Sequence, residues 1–222
     1  MTYKLSDEIS TYVSMVESVA PPSIGVTPER GKQYEVGVKY APTGTNALYS
    51  AAIYDLNQED VTIAVVQPNG TIERETIGES QVRGLDLEAK AELTTNLSLI
   101  GGYSYMESEV IRDTNLSREG NEFAAAPEHS ASLWSYYTLP GTQMSFGVGA
   151  RYLGAYYFDA ANTAKSDATT LFDAAFNYQI VENTELAVNI SNLLDEQHVV
   201  GSGTADYYNP GREITAKLSY NW

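Results

Sequence analysis

The chain has no cysteine. That removes disulfide frameworks, thiolate metal sites and cysteine nucleophiles. Histidine is nearly absent too, with only His129 and His198, whereas a protein metal site needs three or four converging ligands. Cations are scarce: 13 Lys and Arg stand against 29 Asp and Glu, a net charge of −16. Nucleic acid is therefore excluded as a partner, because phosphate backbones are held by clustered Lys and Arg. No apolar run approaches the ~18 residues of a membrane helix. The first ten residues carry Lys4 but lack the apolar stretch of a secretion signal. Gly147-Val148-Gly149 lies inside an alternating segment with no helix after it, so it is not a phosphate loop. No Ser, His and Asp share the spacing of a nucleophilic triad. These absences argue against an enzyme and against a resident cofactor or metal.

What the sequence does have is tyrosine and alternation. Of the aromatic residues, 17 are Tyr, 5 Phe and 2 Trp. In Asn96–Met106, Leu97, Leu99, Gly101, Tyr103 and Tyr105 share one parity, and Asn96, Ser98, Gly102 and Ser104 the other. In Thr142–Tyr152, Met144, Phe146, Val148, Ala150 and Tyr152 oppose Gln143, Ser145, Gly147, Gly149 and Arg151. Leu186, Val188 and Ile190 oppose Glu185, Asn189 and Ser191, and Ile214, Ala216, Leu218, Tyr220 and Trp222 oppose Thr215, Lys217, Ser219 and Asn221. Period two over eight or more residues is the mark of a strand with one apolar face. Gln33–Tyr40, Val82–Leu93 and Leu171–Ile180 repeat it, and Ile9–Val16, Leu48–Leu56 and Ser130–Thr138 read as strands of less certain facing. Ten strands of about ten residues result.

Their connections alternate in length. Short ones fall at Pro42–Thr45, Thr94–Asn96, Pro140–Thr142 and Glu182–Thr184, where Pro, Gly and Thr supply turn chemistry. Long ones span Val19–Lys32, Gln58–Gln81, Ser108–Glu128, Phe158–Ala168 and Asp195–Gly211. Pro68-Asn69-Gly70, between Val61–Val66 and Thr71–Ile77, predicts a small hairpin rising out of the second long loop. An apolar face, a polar rather than apolar opposite face, and alternating short and long connections together predict an all-β, antiparallel transmembrane β-barrel. Mean hydropathy is −0.27, a value that does not argue against this, because alternating strands average their two faces. A last strand running inward to Trp222 makes every long connection extracellular and every short one periplasmic. The competing readings are a small self-closed outer-membrane barrel or porin, a secreted β-sandwich binding module, and a ten-stranded outer-membrane protease, which would need an acid and histidine cluster at its rim.

Several blocks resemble TonB-dependent outer-membrane receptors of the ferric-siderophore group. Asn192-Leu193-Leu194-Asp195 is similar to the family's Asn-Leu-Phe-Asp before the last loop, and Tyr208-Asn209-Pro210-Gly211-Arg212 to its entry into the final strand. Val82-Arg83-Gly84-Leu85-Asp86-Leu87-Glu88, Ala126-Pro127-Glu128-His129 and Gly149-Ala150-Arg151-Tyr152 match in order and spacing, as does the terminal aromatic. The resemblance implies about the last ten strands of a 22-stranded barrel, residues 1–222 forming its C-terminal portion without a plug domain. It implies uptake of a ferric siderophore energised by the TonB complex acting on that plug, in the outer membrane of a Gram-negative bacterium. Lipid, lipopolysaccharide and the barrel-assembly machinery are the further partners, and no cofactor is expected.

The site residues follow from that reading. Asn192, Leu193, Asp195, Pro210, Gly211 and Arg212 are expected to shape a loop rather than touch ligand, since Asn and Asp bond to nearby backbone. Trp222 is expected to be a girdle aromatic and an assembly signal. Tyr157, Phe158, Tyr207 and Tyr208, aromatics in external loops, are the candidate ligand contacts. Tyr103, Tyr105, Tyr136, Tyr152, Tyr156 and Tyr220 are expected in the membrane-interface girdles. Glu35, Lys39, Glu88, Lys90, Arg151 and Lys217 are expected on the polar inner face, where charge avoids lipid. The acidic third loop, with Glu107, Glu109, Asp113, Glu119, Glu122 and Glu128, reads as a solvated surface.

Overall fold

The structure, a computed structural model, describes residues 1–20, 27–66, 70–203 and 205–222. Thirteen strands are seen among them: β1 (Thr2–Lys4), β2 (Ile9–Val19), β3 (Arg30–Tyr40), β4 (Ala47–Val66), β5 (Ile72–Thr94), β6 (Leu97–Arg112), β7 (His129–Thr138), β8 (Met144–Leu153), β9 (Thr169–Val181), β10 (Thr184–Ser191), β11 (Val199–Ser202), β12 (Asp206–Tyr208) and β13 (Glu213–Tyr220). One 3-10 turn, Leu116–Arg118, interrupts the third long loop. Eleven strands make one antiparallel sheet in the order β1 to β10 and then β13, while β11 and β12 form a separate hairpin within the last loop.

Antiparallel partners share a face, so the registers fix which way each side chain points. One row across the sheet reads Val13, Val36, Ile53, Leu85 and Tyr105. Farther along, Phe146 pairs Phe176, and Val188 lies between Phe176 and Ala216. These residues form the apolar outer face. The row behind them reads Lys39, Ser50, Glu88, Gly102, Ser132 and Arg151. Each residue expected on either face from parity lies there wherever the strands are paired; Asn96, Gln143, Asn221 and Trp222 stand outside the ladders.

No second layer covers the apolar face. Val148 is 60% exposed, Ile53 59% and Leu218 66%. A contiguous apolar surface across ten strands far exceeds the few hundred Å² that soluble monomers expose. The β-sandwich alternative fails here, because such a sheet buries its apolar face against a partner sheet. Hydrocarbon is the medium in which this face is stable. Its aromatics collect at the two ends, as an interfacial girdle requires. Tyr40 stacks on Tyr49 at 6.0 Å and Tyr220 lies 6.4 Å from Trp222 near the short turns. Tyr105 lies 5.1 Å from His129 near the long loops.

Two tyrosines expected in the girdles are elsewhere. Tyr136 pairs with Gly147 on the inner face. Tyr156 is buried in the loop after β8 and its hydroxyl donates to the Val200 carbonyl at 3.1 Å. Inner-face Trp134 occupies space that Gly147 and Gly149 leave empty: a Cβ on either glycine would collide with its ring.

β4, β5 and β6 outrun the expected ten residues, with 20, 23 and 16. The hairpin expected within Gln58–Gln81 is there, Val61–Val66 pairing with Ile72–Ile77, and it continues β4 and β5, which pair from Ala47 to Val66 and from Ile72 to Ala91. Pro68 and Asn69, the turn expected there, lie outside the described residues, as do Pro21–Val26 of the first long loop. The physical reason is the end of the lipid. On the outer face Ile53 and Leu85 are followed by Asp55 and Arg83, and Tyr105 by Glu107. At that level charged residues stand on the outer parity too, so the apolar alternation stops while the backbone ladder goes on. β1 was not expected at all: three residues pair Thr2–Lys4 with Ser10–Tyr12, too few to show a period.

The short turns match expectation. Gly44 takes φ 77° and Gly141 φ 73°, conformations cheap only for glycine. Thr45 and Thr142 each donate their hydroxyl to the carbonyl three residues back.

Candidate ligand-capture mouth

At the long-loop end the inner face and the last loop enclose a hollow of about 680 Å³. Asp86, Glu88, Ser104, Ser132 and Arg151 line it from the strands, and His198, Asn209 and Pro210 from the loop. Arg151 is held by both Asp173 oxygens, Nε to Oδ2 at 2.7 Å and Nη2 to Oδ1 at 3.0 Å. Asp173 also accepts the backbone N–H of Asn192 at 3.0 Å. Asp86 accepts Ser104 Oγ at 2.6 Å and Glu88 accepts Ser50 Oγ at 3.3 Å. Wall and loop are thus tied by one carboxylate, while the other two carboxylates are bonded only by hydroxyls.

The two signature blocks, far apart in sequence, form one knot beneath this loop. Asn192 leaves β10 with φ 51° and is buried. Its side chain donates to the carbonyls of Glu196 (2.8 Å) and Pro210 (3.2 Å) and accepts the Glu196 N–H (2.9 Å). Asn209, also buried, accepts the His198 N–H at 2.8 Å and donates to the Glu196 carbonyl at 2.9 Å. Asp195, at φ 58°, accepts the Arg212 N–H at 2.7 Å, and Arg212 Nη1 reaches the Leu193 carbonyl at 3.3 Å. A Cβ on Gly211 would stand 3.0 Å from Asp195 Oδ1, so glycine admits that carboxylate. Pro210 is joined to the knot through its carbonyl. These contacts satisfy backbone groups that the strands leave behind.

The neighbouring loops are built the same way. Asp159 gathers the N–H groups of Ala161, Thr163 and Ala164 and the Thr163 hydroxyl within 2.9–3.2 Å. Partial burial pushes its pKa up, but these donors outweigh that and hold it below the usual carboxylate range. Asn162 then bridges to the preceding loop, accepting the Glu122 N–H at 2.8 Å and donating to its carbonyl at 3.0 Å. In that loop Asp113 and Arg118 form a buried ion pair at 3.7 Å.

The four candidate aromatics are not brought together, and none of them lines the hollow. Tyr157 lies under Lys165, whose ammonium is 4.6 Å from the ring centroid, and Phe158 meets Tyr156 edge-on at 5.6 Å. Tyr207 and Tyr208 sit on β12 with most of their surface open. Trp222 lies beyond β13, fully exposed beside Tyr220. His198 joins the hollow through the Asn209 contact, a role no sequence signal marks, and its Nδ1 is buried without a hydrogen-bond partner. Asp86 could have been found: it stands two residues from Glu88 and shares its parity. Among the described residues no three His, Asp or Glu side chains converge as metal ligands.

An outer face suited to lipid, a polar inner wall and a loop-built mouth define a sector of an outer-membrane β-barrel. The chain belongs to the family described as TonB dependent receptor-like, beta-barrel, which matches residues 2–193. Over its whole length it is 34% identical to the ferrichrome outer membrane transporter/phage receptor of Escherichia coli (strain K12), covering 31% of that protein. It is 31% identical to the ferrioxamine receptor of Yersinia enterocolitica, covering 32% of it. Among solved structures it superposes on the siderophore receptor PiuA from Acinetobacter baumannii with a TM-score of 0.83 at 25% identity, covering 99% of this chain and 34% of that one. The chain spans about a third of the length of the curated relatives it matches. These relatives are receptors and transporters, and the protein is placed in the outer membrane.

Proposed function

We propose that this chain forms part of the wall and outer mouth of a receptor that imports ferric siderophores, driven by the TonB complex, and that it is not an enzyme. The observation carrying this reading is the 34% identity to a ferrichrome transporter over the whole chain. The geometry supports it: charges point to the inner face, and the hollow opens where the long loops meet. In this reading residues 1–222 are the C-terminal portion of the barrel, and the TonB complex acts through the receptor's plug. Tyr207 and Tyr208, exposed on β12, and Tyr157 and Phe158 in the loop before β9 make first contact with the chelate. Trp222 serves the barrel-assembly machinery, the outer face meets lipid, and the loops above it meet lipopolysaccharide. The test is uptake of radiolabelled ferric hydroxamate by a receptor-deficient strain producing the whole receptor that carries these residues, with and without a functional TonB complex. TonB-dependent accumulation is expected. Equal accumulation in both backgrounds would mean a passive pore instead.

A further inference from the structure

We infer that the mouth discriminates by charge, favouring cationic ferric chelates over neutral ones and rejecting anionic ones; this rests on the uptake reading above. The hollow's charged lining consists of Asp86, Glu88, Glu213 and Arg151. Arg151 is its only Lys or Arg, and Asp173 neutralises it through two short hydrogen bonds. Hydroxyl donors leave the charges of Asp86 and Glu88 in place. The nearest inner-face cations lie outside the hollow: Lys90 one inner-face step toward the short turns, and Lys39 two strands away with its ammonium 5.7 Å from the Tyr12 ring.

The loops around the mouth repeat this bias independently. Residues 113–128, 154–168 and 192–212 carry nine acidic side chains against three basic ones. All three cations are engaged within the loops: Arg118 with Asp113, Lys165 over Tyr157, and Arg212 at the Leu193 carbonyl. A chelate therefore approaches through a negative field and settles in a negative, partly enclosed hollow. Such a field concentrates cations and repels anions before any contact forms. Among the described residues of this mouth, phosphate-like or multiply anionic chelates would meet no Lys or Arg beyond the four already engaged.

The probes are three forms of one linear ferric trihydroxamate whose iron core is neutral. Its terminal amine is left free (charge +1), acetylated (0) or succinylated (−1). Uptake of each is measured against concentration, at low and at physiological salt, in cells producing the whole receptor that carries these residues. The expected order of apparent affinity is amine, acetyl, succinyl, with a span on the order of tenfold at low salt that narrows as salt screens it. In the double variant D86N/E88Q, with surface-exposed protein measured alongside, the amine-to-succinyl ratio falls toward one. The order on the unaltered protein carries the test, and the variant assigns it to these two carboxylates. Intact uptake with no charge order, or with the succinyl form preferred, overturns the inference alone. Uptake of none of the three overturns the import reading as well.

Discussion

Asp173 clamps Arg151 at 2.7 Å with one oxygen and the backbone N–H of Asn192 at 3.0 Å with the other. A single carboxylate on β9 thereby fixes a charged side chain of the inner wall and the first residue of the outer loop knot. Asp173→Ala should destabilise the folded barrel by about 1–3 kcal/mol, a range lowered because the Arg151 side chain is half in solvent. Asp173→Asn, which keeps an acceptor for Asn192, should cost less. Urea titration of the protein refolded in lipid vesicles measures both, and equal losses would mean that the Asn192 contact contributes nothing.

Neighbouring residues on β10 should differ sharply in tolerance to charge. Val188 lies on the outer face opposite Phe176 and Ala216, while Asn189 lies on the inner face opposite Ala175 and Thr215. Val188→Arg should cost roughly 2–4 kcal/mol near the bilayer centre and Asn189→Arg much less. Folding yield and unfolding free energy in vesicles distinguish them. Equal costs would contradict the assignment of faces.

The Trp134 ring over Gly149 is a close fit that leaves no room for a methyl group. Gly149→Ala should destabilise by about 1–3 kcal/mol, the usual range for overpacking. Most of that loss should vanish in the background Trp134→Leu, giving a coupling between the two sites. Trp134 emission should shift in Gly149→Ala alone. Additive effects would show that ring and glycine are independent.

Acid should open the loop between β8 and β9. The folded state holds Asp159 below its ordinary pKa of about 3.9. The resulting stabilisation is full above that ordinary value and is lost as pH falls through the depressed folded one. Hydrogen exchange at Ala161, Thr163 and Ala164 should accelerate as pH drops below about 4, after correction for intrinsic rates. In Asp159→Asn this extra acceleration should be absent. Identical pH profiles in the two proteins would remove Asp159 as its cause.

Parity made the membrane part of this wall legible. Leu97, Leu99, Phe146, Val148, Leu186 and Leu218 needed only their spacing to be placed, because one face must suit hydrocarbon and the other water. Where that constraint weakens, so does the signal. Trp134 stands between Leu133 and Ser135, with Tyr136 and Tyr137 just beyond, so no parity is clean there. Its inward facing depends on glycines of another strand. From Asp55 and Arg83 outward charged residues stand on the outer parity too, and the long β4–β5 ladder is held by backbone bonds that composition does not report. The Asn192 and Arg212 blocks could be recognised as motifs, but their geometry joins residues 17 to 19 positions apart, which local sequence cannot foresee. The hollow combines strand parity with loop closure, and only the first half of that was readable.

From Asp55 to Val66, β4 continues past the charged level that ends its apolar stretch. At ~3.3 Å per residue that is roughly 36 Å of strand, and a tilt of about 40° still leaves nearly 30 Å of height. Among the described residues only β4 and β5 pair beyond Glu59 and Glu79. The hairpin is thus a mast standing clear of the mouth. Among the described residues this backbone ladder reaches farthest from the lipid, so whatever approaches the wall from outside meets the hairpin before the mouth.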